Sequence, residues 1–280
     1  MRTGKSVLRL GLVPSVAWLL FQGVVAQSAD ESSTPLSLPP KEKLGIYLLM
    51  GQSNMAGAAP VGAEDRVPHP RILRFSQAGE WEVAAEPIHN GRKIEGMGPA
   101  FSFAKVMAEK HPAATIGLVP CAVGGTPLKR WERDGDLYRK AVARAKKAMQ
   151  NGTLAGILWH QGEKDSTSEV DTASYGTRLA GMIRDIRADL NAPQLPVVVG
   201  QIGEFLTQPA GKRAARPLAV KINATLASIP SQVPATGCAR SGGLKHKGDG
   251  VHFDTESQRE LGRRFATEML RLEKQQPSGS

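Results

Sequence analysis

Cysteine is nearly absent from this chain. Its 280 residues contain only Cys121 and Cys238. Two thiols can build neither the framework of a disulfide-stapled scaffold nor a four-thiolate zinc site. Aromatic residues make up only 5%, too few to supply platforms on which nucleic-acid bases stack. The six histidines are dispersed and show no metal-ligand spacing, so neither a metal nor another cofactor is expected. Internal repeats are lacking, which excludes solenoids and propellers. Long apolar runs are lacking too, apart from residues 10–25, and that stretch is broken by Pro14 and Gln22.

Arg2, Lys5 and Arg9 precede the apolar stretch, and Val24-Val25-Ala26 closes it with small residues. This is the pattern of a secretory signal peptide over residues 1–26. The stretch is short for a bilayer span of about 20 residues. The expectation is a secreted or periplasmic protein with no stable membrane association once the signal is cleaved. Residues 27–43, rich in serine and proline, read as a linker. Residues 44–273 read as a single domain, long enough to bury a large core. Residues 274–280 read as a disordered polar tail.

The formal net charge is +10. Three of these charges lie in the leader, which leaves +7 for the mature chain. The basic residues are scattered along helical stretches, as at Arg139-Lys140, Arg144, Lys146-Lys147 and Arg263-Arg264. That distribution suits a solvated surface, and with so few aromatics no nucleic-acid partner is expected.

Apolar runs that read as strands lie at 44–50, 72–75, 115–119, 154–159, 196–201 and, weakly, 233–238. Between them, helical periodicity appears at 99–110, 137–149, 173–190, 213–229 and 255–272. Leu261, Phe265 and Met269, for example, form one row. Continuous apolar runs such as Val197-Val198-Val199 suit a parallel sheet covered on both faces. The alternation predicts a three-layer α/β/α sandwich with a mostly parallel central sheet. In such a sheet the strands near Cys121 and Cys238 lie well apart, so two free thiols are expected. The irregular segment 58–98 follows the first strand and could wall a substrate cleft.

Three strand ends carry chemistry. Gly51-Gln52-Ser53-Asn54-Met55 follows the first strand, Gly124-Gly125-Thr126 follows the third, and His160-Gln161-Gly162-Glu163 follows the fourth. Open parallel sheets bind their ligands at such carboxyl ends. Far downstream stands Asp249-Gly250-Val251-His252. Ser53, Asp249 and His252 supply the parts of a serine triad in the chain order Ser, Asp, His. Ser53 would be the nucleophile and His252 its base. Asp249 would orient the imidazole, because a spacing of three lets a tight loop return the carboxylate to the same ring. Taken alone, each block also fits an ordinary polar turn or surface loop. Their combination is what a ligand crevice would require.

In this order the four blocks resemble the consensus of the SGNH hydrolase superfamily. More narrowly they are similar to the sialate O-acetylesterase-like group that includes carbohydrate esterase family six, the acetyl xylan esterases. The resemblance spans Gly51 to His252, with departures at Pro127 and Lys164. It implies the SGNH, flavodoxin-like fold and a serine esterase. The expected substrate is acetylated carbohydrate, either a polysaccharide such as xylan or O-acetylated sialic acid. It also implies an oxyanion hole from the backbone N–H groups of Ser53 and Gly125, with Gly124 possible in support, and from the side-chain amide of Gln161. Asn54 and Glu163 are possible supporting residues. Glu163 either stands as a second carboxylate near His252 or braces the Gln161 loop, and bracing is the preferred role. His160, Trp131 and Trp159 read as structural, and His69, His89, His111 and His246 as surface residues. Two alternatives stay open: an esterase for other small esters or for peptidoglycan O-acetyl groups, and a non-catalytic carbohydrate-binding protein on the same fold.

Overall fold

The structure, a computed structural model, describes residues 36–90 and 96–275. The expected signal peptide, most of the expected linker and residues 276–280 lie outside the described residues. At its centre runs β1 (Leu44–Gly51), whose side chains alternate between two apolar layers. Leu44, Ile46, Leu48 and Met50 enter one core, while Tyr47 and Leu49 enter the other. Successive strand residues point to opposite faces, so a strand that is apolar without interruption must be covered on both. The same division holds at Val197 and Val199 against Val198.

The remaining strands are β2 (Ile72–Phe75), β3 (Trp81–Val83), β4 (Thr115–Pro120), β5 (Thr153–His160), β6 (Val197–Gly200) and β7 (Thr236–Ala239). They form one sheet in the order β3-β2-β4-β1-β5-β6-β7, in which only the β2–β3 pair is antiparallel. A single turn, α1 (Ser53–Ala56), follows β1. The longer helices are α2 (Ala100–Lys110), α3 (Asp136–Ala148), α4 (Glu169–Asp189), α5 (Ala219–Gln232) and α6 (Thr255–Glu273). Apolar faces of α3, α4 and α5 cover the first core, and those of α2 and α6 cover the second. This is the three-layer sandwich that the strand–helix alternation predicts.

Two differences from the sequence reading have local causes. The strand β3 is only three residues long, too short for periodicity to show. The fifth helix begins at Ala219 rather than near 213, because Ala210 and Arg213 bond to each other in a tight turn and Pro217 follows. Lys41–Lys43 make a 3-10 turn into β1, and Gln275 closes α6 by bonding to Leu272 O. Both cysteines are free and half-buried, on β7 and just past β4, with three strands between. Burial pushes both thiols up to about 11, which makes them inert at neutral pH.

Because β1 pairs with β4 on one side and β5 on the other, the segments leaving all three carboxyl ends diverge around the end of β1. A sheet that grows outward in both directions opens its crevice at that point. Ser53, Gly124 and Gln161 follow those three ends.

Candidate active site

Gly51 closes β1 against β5. Its φ is +131°, and a Cβ there would stand 2.0 Å from the carbonyl oxygen of His160. Only glycine allows the two strand ends to approach so closely. The next amide, Gln52 N–H, donates to His160 O at 2.9 Å. Met55 and Ala56 then donate to Gln52 O, so helical turning begins at Ser53 itself. An N–H in the first turn has no intrahelical acceptor, and that of Ser53 is left for the crevice.

Across the chain, His252 Nε2 lies 3.0 Å from Ser53 Oγ, and His252 Nδ1 lies 2.7 Å from Asp249 Oδ2. The other carboxylate oxygen, Asp249 Oδ1, accepts the N–H groups of Val251 at 2.9 Å and His252 at 2.8 Å. Partial burial would raise this carboxyl, but the bonds from His252 and Val251 outweigh it and hold Asp249 down at about 2. It is therefore ionised at neutral and mildly acidic pH. The loop ends at once in α6, where Asp254 caps the helix by accepting Ser257 N–H at 2.8 Å. Residues far apart in sequence thus meet in the order carboxylate, imidazole, hydroxyl, an arrangement able to activate a serine.

Gly124 lies against the nucleophile. A Cβ built on it would be 3.6 Å from Ser53 Cβ. Gly125 adopts φ +71° with open space where a side chain would begin, so this turn requires glycine. Gly124 stands beside Ser53, and neither glycine's N–H has a backbone acceptor among the described residues.

Gln161 is elsewhere, and this corrects its expected role as an oxyanion donor. It is fully buried, with Nε2 2.6 Å from Asp165 Oδ2, 3.0 Å from Thr126 O and 3.3 Å from Gln52 Oε1. Its Oε1 accepts from the Tyr175 hydroxyl at 3.0 Å. An amide has two N–H groups, and three acceptors leave none for a substrate. Gln161 instead ties the Gly124–Thr126 turn, the Ser53 turn and α4 together. The signal for this in the sequence is Asp165, four residues on, which also accepts Leu128 N–H.

Asn54 and Glu163 are brought together but not to His252. Asn54 Nδ2 donates to Glu163 Oε1 at 2.6 Å and to Val251 O at 3.1 Å, and its Oδ1 accepts Phe253 N–H at 3.1 Å. One buried amide thus locks the serine turn to the histidine loop. Asn54→Ala should destabilise the fold by about 2–4 kcal/mol, since it strands a buried carboxylate and two backbone groups. Urea denaturation measures this, and a loss under about 0.5 kcal/mol would show that the lock is dispensable.

His160 is structural. It is fully buried, its Nε2 meets Gln201 O at 3.0 Å, and burial lowers its pKa so that the ring stays neutral. Trp131 and Trp159 are core residues in edge-on contact at 5.6 Å. One histidine expected on the surface is not there: His89 is buried and accepts Ala122 N–H through Nε2 at 3.2 Å. His246, like His69 and His111, is half-buried, and it lies in the histidine loop. Neither His89 nor His246 carries a motif, so only the tertiary contacts reveal their places.

A cavity of about 260 Å³ is lined in part by Ala122 and Val123, the residues that lead into the Gly124–Gly125 turn, and by none of Ser53, Asp249 and His252. Its walls include Phe75, Val123 and Leu137, together with Arg130, Lys140 and Arg144, and no acidic residue lines it. The segment 58–98 supplies Phe75, Gln77, His89 and Asn90 to this wall. Arg144 is fixed by Phe75 O and Ser76 O at 2.9 and 3.0 Å. Among the described residues, no group of three or more His, Cys, Asp or Glu could hold a metal ion, and no helix is long and apolar enough to cross a membrane.

The family model for carbohydrate esterases described as sialic acid-specific acetylesterase matches residues 43–271. The Arabidopsis thaliana protein named probable carbohydrate esterase At4g34215 is 32% identical over 268 residues, covering 89% of this chain and 97% of that protein. Its crystal structure superposes with a TM-score of 0.73 over 83% of this chain and 99% of its own. NanS superposes at 0.68 with 17% identity, over 85% of this chain and 100% of its own. XAC1771, a carbohydrate acetylesterase from Xanthomonas citri, superposes at 0.60 with 22% identity, over 83% and 57% respectively. At those identities the last two establish likeness of fold.

Proposed function

We propose that this chain, which belongs to the carbohydrate esterase family of sialic acid-specific acetylesterases, removes O-acetyl groups from carbohydrate through Ser53, His252 and Asp249. The observation that carries the reading is His252, which joins Ser53 Oγ to the Asp249 carboxylate with both ring nitrogens. Ser53 Oγ attacks the acetyl carbonyl carbon while its proton passes to His252 Nε2. The ester C–O bond breaks, the same proton moves to the sugar oxygen, and acetyl-Ser53 remains. Water then attacks the acetyl group by the same base, releasing acetate and free serine. Asp249 holds the tautomer with the proton on Nδ1 and stabilises the imidazolium. The Ser53 N–H and a glycine N–H from Gly124–Gly125 receive the oxyanion. The leader pattern supports action in the periplasm or outside the cell.

The same elements fit other small esters. A binding protein without turnover would have no need of an imidazole aligned on the serine. Within carbohydrate substrates, the basic cavity lined in part by Ala122 and Val123 favours one that carries a carboxylate. Purified protein should release acetate faster from an acetylated acidic sugar than from a neutral one. Arg144→Gln together with Lys140→Gln should lower kcat/KM for the acidic substrate about tenfold and leave p-nitrophenyl acetate unchanged, the size expected for a lost charged hydrogen bond. Equal loss on both substrates would place the cavity outside the substrate path. No acetate release from any substrate would refute the esterase reading itself.

A further inference from the structure

The histidine loop contains a second imidazole that the mechanism above does not use. His246 Nδ1 accepts the backbone N–H of Gly248 at 2.9 Å and that of Gly250 at 3.2 Å. These are the N–H groups of the two residues that flank Asp249. The ring stands edge-on to Phe205, centroids 5.2 Å apart, and Phe205 stands edge-on to Phe253 at 5.1 Å. His246 also forms an isolated antiparallel bridge with Phe253, and Lys247 N–H donates to His252 O at 2.9 Å. The imidazole is therefore the hub of a loop that runs from 246 to 253 and carries both Asp249 and His252.

We propose that neutral His246 is a positioning residue for deacetylation, holding the Asp249 carboxylate against His252 by accepting the two flanking amides. The inference rests on the Ser53–His252–Asp249 reading. Its physical basis is the acceptor count. A ring nitrogen that receives two N–H groups must present a lone pair, and imidazolium has none, because both of its nitrogens carry hydrogen. A proton on Nδ1 therefore turns an acceptor into a donor aimed at two donors. Both anchors of Asp249 are lost in one step, and a displacement of about 1 Å in a catalytic constellation can cost roughly a hundredfold in rate. The charged groups around this ring are Lys245 and Lys247 on its own segment and Asp249 and His252 in the loop. Glu204 belongs to the turn that carries Phe205, Arg213 to the segment packed on Gly250, and Asp254 to the start of α6. A purely structural role for His246 would move stability and leave kcat of the folded variant alone, with no rescue by a side chain that restores the acceptor.

The test compares wild type, His246→Ala and His246→Asn on p-nitrophenyl acetate. The Asn side chain places Oδ1 where Nδ1 stands and cannot take up the proton. At pH 8, His246→Ala should lower kcat by about ten- to a hundredfold with KM within about twofold, and His246→Asn should recover to within about threefold of wild type. Full activity in a folded His246→Ala overturns the proposal, as does a His246→Asn that is no more active than His246→Ala. Should the Ala variant fail to fold, His246→Leu, which fills the space but offers no acceptor, takes its place, and full activity there overturns the proposal. Failure of the triad reading is recognised separately, by undiminished turnover in Ser53→Ala.

Discussion

Ser53→Ala will leave a folded protein that releases acetate at least about 10⁴-fold more slowly than wild type. The hydroxyl makes one side-chain contact, to His252 Nε2, so its removal costs the fold little. The α1 turn is held by backbone bonds to Gln52 O and by the buried Asn54, neither of which needs the serine oxygen. What disappears is the covalent route. His252 could still polarise a water molecule, and the N–H groups of Ser53 and Gly124–Gly125 would still meet an oxyanion. The residual rate should therefore exceed that of the uncatalysed reaction without approaching that of wild type. Steady-state kinetics on p-nitrophenyl acetate, alongside a urea melt to establish folding, read both quantities. Turnover within tenfold of wild type would remove Ser53 from the mechanism.

Asp249→Asn should cost on the order of 10³–10⁴ in kcat, and Glu163→Gln far less. The Asn oxygen can still accept the N–H groups of Val251 and His252, which keeps the loop shape. The amide nitrogen, however, replaces the oxygen that faces His252 Nδ1. A donor there forces the proton onto Nε2, and that nitrogen then cannot accept from Ser53. Glu163 touches Asn54 and lies outside the Ser53–His252–Asp249 line, and Gln can keep that contact through its oxygen. A larger loss in Glu163→Gln would make Glu163 the orienting acid. The pH dependence has a definite sign. Asp249 is held at about 2 in the fold, below its unfolded value of about 4. Its contribution to stability is present above about pH 4 and lost as pH falls toward 2. A loss of activity on the acid side that sets in above about pH 4 therefore does not come from this carboxylate.

The sequence by itself determined the layered fold, because uninterrupted apolar strands must be buried on both faces and helical rows at 3.6 spacing must cover them. It also singled out Ser53, Asp249 and His252, since local motifs at strand ends and a spacing of three are legible along the chain. Helix starts near Arg213 and the three-residue β3 were beyond its reach, because turn closure and a short edge pairing leave no periodicity. Gln161 marks the sharper boundary. Its place after a strand end fits an oxyanion donor equally well, and only Asp165, Thr126 and Gln52 closing around it in three dimensions assign both of its N–H groups to the scaffold. His246 shows the converse, a histidine without a motif that acquires its role from two amides of a folded loop. Residue types at strand ends are written in the chain. Where a side chain's few donors and acceptors are spent depends on partners brought together by packing, and only the tertiary structure decides that.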